Sequence, residues 1–250
     1  MHVLNCRIDP LDFPSVVRRV HELVEERRFA VHSSLNVAKV VRMERDLALR
    51  EAIAGSDIVS ADGMPVVWVS RLFGSRVERV TGCDLLPQLV QLAADRGYPV
   101  FFLGARRDVV EELVERYRHR FPGLKVAGAR DGYFPESQEP EVARQIAASG
   151  ARMLFIALPT PRKEMFIHRN AKSLGAIFCM GVGGSFDVET GRVKRAPSWI
   201  QRMGGEWLWR MALEPRKLWR RNAETGGAFA WIVLRELWRC AGRKHDAVQG

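Results

Sequence analysis

The sequence has few cysteines, and their spacing argues against two kinds of architecture. Only four occur in 250 residues, Cys6, Cys83, Cys179 and Cys240, and no two of them form a C-x-x-C pair. Structural zinc sites and disulfide frameworks are built from closely spaced cysteines, so we expect neither. A reducing, cytoplasmic setting is the simplest interpretation.

Long apolar runs are also missing. The longest late run, Ala228 to Leu234, is far shorter than the roughly 18 residues that a membrane-spanning helix needs. The first ten residues, MHVLNCRIDP, lack the layout of a signal peptide. If this protein meets a membrane, we expect it to lie on the surface.

Two nucleotide-binding fingerprints are absent as well. There is no G-x-G-x-x-G, which disfavours a dinucleotide site. The glycine-rich segment 181–187 lacks the G-K-[ST] ending of a P-loop. A nucleotide-dependent oxidoreductase on a Rossmann-like sheet therefore stays a rival hypothesis with little support, because analogy of fold alone carries little weight.

The composition otherwise fits a folded α/β protein with an excess of positive charge. Hydrophobic residues make up 47% and charged residues 27% of the chain, enough for a buried core. Lys and Arg number 39 against 29 Asp and Glu, and the pI is about 10.0. Such a chain attracts polyanions, whether nucleic acid, anionic lipid or phosphorylated substrates.

The position of the basic residues helps to choose among those partners. Residues 192–244 hold thirteen Lys and Arg against four Glu, together with six of the seven tryptophans. Arginine beside tryptophan suits a membrane interface with anionic lipid. No nucleic-acid-recognition motif is present, so a nucleic-acid-binding protein is the less favoured alternative. We place a domain boundary near residue 195, between an α/β catalytic domain (1–195) and a helical, membrane-associating appendage (196–250).

Segments with strand and helix periodicity alternate up to that boundary. The fold class predicted from this alternation is α/β, a Rossmann-like and mostly parallel sheet with helices on both faces, followed by a basic, Trp-rich helical appendage. The predicted strands are Val3–Ile8, Phe29–Leu35, Asp57–Ser60, Pro99–Leu103, Leu124–Ala127, Arg152–Ala157 and Ala176–Met180. The predicted helices are Phe13–Arg27, Ala38–Ala54, Met64–Leu72, Leu85–Ala94, Asp108–Arg120, Glu139–Ser149 and Arg162–Ser173, with Asp108 a plausible N-cap.

Ligands of such sheets bind beyond the carboxyl ends of the strands, which makes the polar residues there the candidate site. Those residues are Ser34, Asn36, Asp62, Gly104, Lys163 and Asp187. Asp62 is placed either to accept a proton or to serve as an ordinary turn or N-cap aspartate. Gly104 either lets the backbone approach a ligand or closes a tight turn. The glycines around Gly183 either cradle phosphate or are required by the backbone conformation of the loop.

Lys163 lies near the start of a predicted helix. A cation there is unfavourable for the helix dipole, which hints weakly at a ligand role.

These segments together resemble the WecG/TagA/CpsF family, also called glycosyltransferase family 26, from about Ser34 to Arg221. Each motif alone is weak, but the ordered set is specific. The matching motifs are Ser34–Asn36, Ala61–Trp68, Glu78–Leu85, Phe102–Gly104, Gly132–Phe134, Pro159–Glu164, Gly181–Asp187 and Glu206–Arg221.

The resemblance implies a bacterial, inverting, metal-independent glycosyltransferase without a cofactor. It would move N-acetylmannosamine, its uronic acid or a related hexose from UDP to an undecaprenyl-diphosphate-linked saccharide, in cell-surface polysaccharide synthesis. It would work as a peripheral protein at the cytoplasmic face of the inner membrane. No D-x-D metal pair occurs in the sequence.

Carried over by position, Asp62 would be the general base, and Ser34, Asn36 and Arg79 would line the sugar and diphosphate pocket. The loops at Gly104 and Gly183 would lie near UDP. Asp187, at the end of the second loop, is a candidate hydrogen-bond acceptor for phosphate or ribose. The cations expected near the acceptor's diphosphate are Arg210, Arg216, Lys217, Arg220 and Arg221.

The chain departs from the family pattern at two positions. Ser34 stands where the family usually has Thr, which is a mild change. Lys163 stands where the family usually has Gln, and a cation facing the donor puts the identity of the donor sugar in doubt. The acceptor sugar, the linkage and any homo-oligomer are left open by the sequence.

Overall fold

The computed structural model describes residues 2–4, 6–175, 177–202, 205–206, 209 and 225–238. A six-stranded sheet forms its centre, with strand order β4-β3-β8-β7-β5-β6 and every neighbouring pair parallel. The sheet strands are β3 (Ala30–Leu35), β4 (Ile58–Ala61), β5 (Val100–Gly104), β6 (Val126–Arg130), β7 (Met153–Ala157) and β8 (Phe178–Gly181). Two short strands, β1 (His2–Val3) and β2 (Cys6–Arg7), pair antiparallel ahead of it.

Helices cover both faces of the sheet. In chain order they are α1 (Phe13–Glu25), α2 (Val37–Met43), α3 (Leu47–Ala54), α4 (Met64–Leu72), α5 (Gly82–Arg96), α6 (Arg107–Arg120), α7 (Glu139–Ala148), α8 (Arg162–Arg169), α9 (Ala171–Leu174), α10 (Ser185–Glu189) and α11 (Ser198–Arg202), with a short 3₁₀ turn at Glu136–Gln138. Residues 225–238 are also helical.

The strands are apolar on both sides because both faces are covered. On β7, Phe155 packs on one face with α1, α5, α6 and α10, whereas Ile156 packs on the other face with α7, α8 and α9. Leu35 and Ala61 share that second face and pack with α2, α3 and α4. The predicted α/β class, parallel sheet and two-sided helix cover are confirmed.

Several predicted elements differ from the structure in detail. The predicted helix Ala38–Ala54 is two helices, because the Asp46 side chain accepts a hydrogen bond from the Leu49 N–H at 3.0 Å and starts α3. The predicted helix Arg162–Ser173 also divides at Asn170.

Two further predictions were wrong at this level. The predicted strand Val3–Ile8 is a hairpin that turns at Leu4, which has φ 57°. Asp108 is not an N-cap: Arg106 holds that position, and Asp108 lies in the first turn of α6, where its charge suits the helix dipole.

The 225–238 helix packs against the sheet domain. Phe229 and Ile232 are buried in the same cluster as α2, α3 and α4. The boundary near residue 195 stays a prediction, and part of the segment beyond it contributes to the core. None of the helices in the described residues is long and apolar enough to cross a bilayer.

Candidate active site

A cleft of about 860 Å³ opens where β3, β4, β7 and β8 end. These four strands are neighbours in the sheet. From β3 the chain passes to β4 at one edge, crosses to β5 and to β6 at the other edge, and returns through β7 to β8, which pairs with β3. Such a reversal leaves a crevice at the carboxyl ends of the strands, where ligands of open α/β sheets bind. Polar groups of the cleft include Ser34, Asn36, Lys39, Asp62, Arg79, Thr81, Thr160, Lys163, Ser185, Asp187 and Glu206.

Asp62 lies directly after β4 and lines this cleft. Its backbone N–H donates to the Leu35 carbonyl at 2.8 Å, which ties the ends of β3 and β4 together. The N-cap of α4 is Gly63, so the N-cap interpretation of Asp62 was wrong. Asp62 thus lies in the cleft without capping α4, and its role as general base stays a prediction.

A buried group of three charges forms one side of the cleft. The Glu164 Oε1 atom lies 3.0 Å from Lys39 Nζ and 3.1 Å from Lys163 Nζ. Lys39 also donates to the Ser34 carbonyl at 2.6 Å, and Lys163 donates to the Thr160 hydroxyl. Because one carboxylate bridges two ammonium groups, the end of β3 is fixed to the start of α8.

Burial and neighbouring charges shift the pKa values of Lys163 and Glu164. Burial, reinforced by Lys39, lowers the pKa of Lys163 to about 8, although Glu164 and Asp62 act in the opposite direction. Burial on its own would raise the pKa of Glu164, but Lys39 and Lys163 outweigh it and hold that pKa below its usual value. Glu164 is thus ionised, and Lys163 titrates close to neutral pH.

The first glycine of the glycine-rich loop makes room for Lys163. A Cβ atom at Gly181 would lie 2.8 Å from Lys163 Cδ and 3.0 Å from its Cε. These distances are too short for non-bonded carbons, so any larger residue would push the lysine stem aside. A glycine is needed at position 181 because the Lys163 side chain passes close to the backbone there.

Arg79 brings a guanidinium group to the floor of the cleft. Its backbone forms a parallel bridge with Ala61, which places Arg79 beside the end of β4 and next to Asp62. Its Nη1 atom lies 3.0 Å from Glu206 Oε2. The 225–238 helix also contributes Thr225, Gly226 and Phe229 to the lining of the cleft.

A family model described as "Glycosyl transferase WecG/TagA/CpsF family" matches residues 1–243. The chain belongs to this family of glycosyltransferases. The resemblance found in the sequence motifs is therefore confirmed, and so is the glycosyltransferase class.

Two curated relatives are similar over most of the chain. A protein of Bacillus spizizenii strain W23 is 41% identical over 170 residues, which cover 68% of this chain and 65% of the relative, just under two thirds of its length. A protein of Bacillus subtilis strain 168 is 35% identical over 214 residues, covering 85% of this chain and 82% of the relative. Both are named N-acetylglucosaminyldiphosphoundecaprenol N-acetyl-beta-D-mannosaminyltransferase.

In this glycosyltransferase the structure brings most of the predicted site residues together. The predicted residues that line the cleft are Ser34, Asn36, Asp62, Arg79, Lys163, Gly183 and Asp187. Asn36 has a local role too, because its side chain caps α2 by accepting from the Lys39 N–H at 3.0 Å.

Gly104 is placed differently from the other predicted site residues. It is not among the residues lining the cleft, and a Cβ atom there would lie 2.5 Å from the Ala157 backbone, so it provides a close approach of β5 to β7. A contact between Gly104 and the nucleotide stays a prediction. Five predicted cations lie outside the described residues: Arg210, Arg216, Lys217, Arg220 and Arg221.

Three charged residues of the glycosyltransferase site were missed in the sequence: Lys39, Glu164 and Glu206. A signal for Lys39 existed, because it lies in the first turn of α2 as Lys163 does in α8, where the helix dipole disfavours a cation. Glu164 and Glu206 stand in the matching motifs Pro159–Glu164 and Glu206–Arg221, but their charge partners could not be predicted from local sequence. Over the parts of the chain that the structure describes, no cluster of three or more His, Cys, Asp and Glu is placed to hold a metal ion.

Proposed function

We propose that this chain transfers an N-acetylmannosamine-type sugar from a UDP-sugar to an undecaprenyl-diphosphate-linked N-acetylglucosamine, with inversion at the anomeric carbon. The names of the two relatives support this choice of sugar and acceptor for this chain. The observation that carries the proposal is the position of Asp62, a carboxylate in a cleft at the strand ends that Arg79 also lines.

In this mechanism the acceptor hydroxyl attacks the anomeric carbon from the side opposite UDP. Asp62 accepts the hydroxyl proton as the new bond forms, and the bond from the anomeric carbon to the diphosphate breaks with its electron pair on UDP. The carboxylate acts once per turnover and returns its proton to solvent afterwards. No covalent sugar–enzyme intermediate is needed for inversion.

The leaving diphosphate gains negative charge, which must be stabilised. Arg79 is suited to this because a guanidinium donates two hydrogen bonds at once to phosphate oxygens. The backbone N–H groups of the loop around Gly183 lie in the same cleft. We assign Ser34, Asn36 and Lys163 to binding the sugar end of the donor, and Asp187 to binding its nucleotide.

We also propose that the segment beyond residue 195 attaches the protein to the cytoplasmic face of the membrane. On the 225–238 helix, Trp231, Leu234 and Trp238 are exposed, whereas Phe229 and Ile232 face the core. An exposed stripe of Trp and Leu next to many basic residues is typical of a helix that lies at a lipid interface. This position would bring the lipid-linked acceptor to the cleft that the same helix lines.

A panel of UDP-sugars tested with a short-chain prenyl-diphosphate N-acetylglucosamine tests the proposal directly. We expect release of UDP with UDP-N-acetylmannosamine or its uronic acid, and faster turnover when the acceptor is in anionic rather than zwitterionic vesicles. Added EDTA is expected to leave the rate unchanged, since cationic side chains are assigned the stabilising role. Loss of activity in EDTA would refute the metal-independent mechanism. Absence of turnover with every UDP-sugar would refute the assignment of a UDP-sugar as the donor.

The pH dependence of donor binding tests the role of Lys163. Its pKa of about 8 means that the ammonium group is charged at pH 7 and loses its proton as the pH rises. If the charge binds the donor, KM for the UDP-sugar should rise about tenfold between about pH 7 and pH 9. The groups facing Lys163 are Lys39, Glu164 and Asp62.

The matched control is Lys163→Gln, which removes the titrating group and restores the residue usual in the family. We expect a KM that is nearly constant over the same range. Titration of the uracil ring would affect both proteins equally, so the comparison isolates the lysine. The same KM rise in the variant would contradict the assignment.

A further inference from the structure

The Glu206 carboxylate lies between two guanidinium groups at the edge of the cleft. Its Oε2 atom is 3.0 Å from Arg79 Nη1, and its Oε1 atom is 3.7 Å from Arg195 Nε. Arg79 is 127 residues away in sequence, so only tertiary folding makes this contact. Two oxygens of one carboxylate facing two arginines reproduce the arrangement that phosphate oxygens adopt between guanidinium groups.

Arg195 is held in place from the side away from Glu206. Its Nη1 atom donates to Asp84 Oδ1 at 2.7 Å, and Asp84 Oδ2 accepts from the Thr81 hydroxyl at 2.6 Å. Thr81 is itself the N-cap of α5. The fixed partner of Arg195 is therefore Asp84, which is anchored to a helix start.

The remaining donors of Arg195 are not used within the described part of the chain. Its Nε and Nη2 atoms are buried and have no hydrogen-bond partner there. Buried N–H groups without a partner are costly, and in a native structure they indicate a function or a ligand. Glu206 lies too far from Nε to supply that hydrogen bond, at 3.7 Å.

The balance of charges in this group also favours a bound anion. Among the described residues, the group contains two guanidinium cations and two carboxylates, Asp84 and Glu206, whose charges balance. If Glu206 moved out, these residues would retain one net positive charge. An anion with more oxygens than a carboxylate could then engage Arg79 and the unused donors of Arg195 together.

We propose that Arg79 and Arg195 form a diphosphate subsite, and that the Glu206 carboxylate is its internal placeholder, displaced when the diphosphate binds. This inference rests on the proposed function. It assigns a new binding residue, Arg195, and a gating residue, Glu206. The diphosphate has two sources, the UDP-sugar donor and the prenyl-diphosphate acceptor, and the chemistry of recognition is the same for both.

The test measures binding by calorimetry in the full chain, with inorganic pyrophosphate, UDP and a short-chain prenyl-diphosphate N-acetylglucosamine as separate probes. Glu206→Gln keeps the shape of the side chain and removes the competing charge, so pyrophosphate should bind about fivefold more tightly. Arg195→Gln should weaken pyrophosphate binding about tenfold, and Arg195→Lys should recover part of that loss. Whichever of the two natural diphosphates shows the same pattern is the occupant.

The matched control is Arg192→Gln, three residues away. Arg192 pairs with Asp108 and Glu112. Neither Arg192 nor Arg195 is among the residues that line the cleft, but Arg195 lies 3.7 Å from Glu206, which does line it. We expect its effect on every probe to stay within about twofold. Thermal unfolding without ligand shows whether each variant is folded, so weaker binding by an unfolded protein is recognised.

Two results would overturn the inference. If Glu206→Gln binds pyrophosphate no better than the unmodified protein, Glu206 has only a structural role. If Arg195→Gln, shown to be folded, binds all three probes normally, Arg195 is not part of the subsite. Failure of the proposed function gives a different result, because the unmodified protein would then bind neither UDP nor the prenyl-diphosphate sugar.

Discussion

Replacing Asp62 with asparagine is expected to lower kcat by about 10² to 10⁴-fold while UDP binding changes little. The amide keeps the size of the side chain but cannot accept the proton of the acceptor hydroxyl. The loss should therefore fall on the chemical step rather than on affinity. Single-turnover transfer and UDP binding by calorimetry measure the two effects separately.

Asp187 provides the comparison, since it is a second carboxylate of the same cleft. We assign it to the nucleotide, so Asp187→Asn should raise KM for the donor and change kcat much less. If Asp62→Asn turns over at a near-normal rate, Asp62 is not the base. Equal loss of kcat in both variants would also contradict a single general base.

Replacing Glu164 with glutamine is expected to have the largest effect on stability. Glu164 is 6% exposed and bridges Lys39 and Lys163, which are 4% and 5% exposed. Removing the shared carboxylate leaves two buried ammonium groups without their bridging counter-charge, which costs about 3–5 kcal/mol of unfolding free energy. Chemical denaturation at pH 7 measures this loss.

The loss should depend on pH in a definite direction. Without Glu164, the larger of the two influences that raise the pKa of Lys163 is gone, and Asp62 alone remains to oppose burial and Lys39, so that pKa falls further. The folded state then binds fewer protons than the unfolded state up to the ordinary lysine pKa of 10.5. The free energy of unfolding of the variant should consequently increase as the pH rises from 7 through this range.

Glu141→Gln is the matched control. Glu141 pairs with Arg144 one turn along the exposed face of α7, at 2.6 Å, and both side chains are more than half exposed. No measurable change is expected there. A loss for Glu164→Gln that is small, or that stays constant from pH 7 to pH 10, would show that the three charges are not coupled as described.

Much of the fold follows from the sequence. The helix Met64–Leu72 has the predicted bounds, and buried strands such as β5 and β7 follow from short apolar runs between turn residues. The predicted site residues at the ends of β3 and β4 meet because parallel strands carry their carboxyl ends to one edge. Gly104 shares that edge, but β5 lies beyond β7, a strand order that periodicity does not encode.

The sequence by itself determined the fold class, the family and the carboxylate at the end of β4, because these depend on local periodicity and on motifs of adjacent residues. Only the tertiary structure decided which charges share a site. Glu164 contacts Lys39, and Glu206 contacts Arg79, each across more than a hundred residues of sequence. These contacts form because β3 pairs with β8 in the sheet and because distant segments meet around the cleft. Pairing between buried charges depends on distance and burial, and neither is written in local sequence.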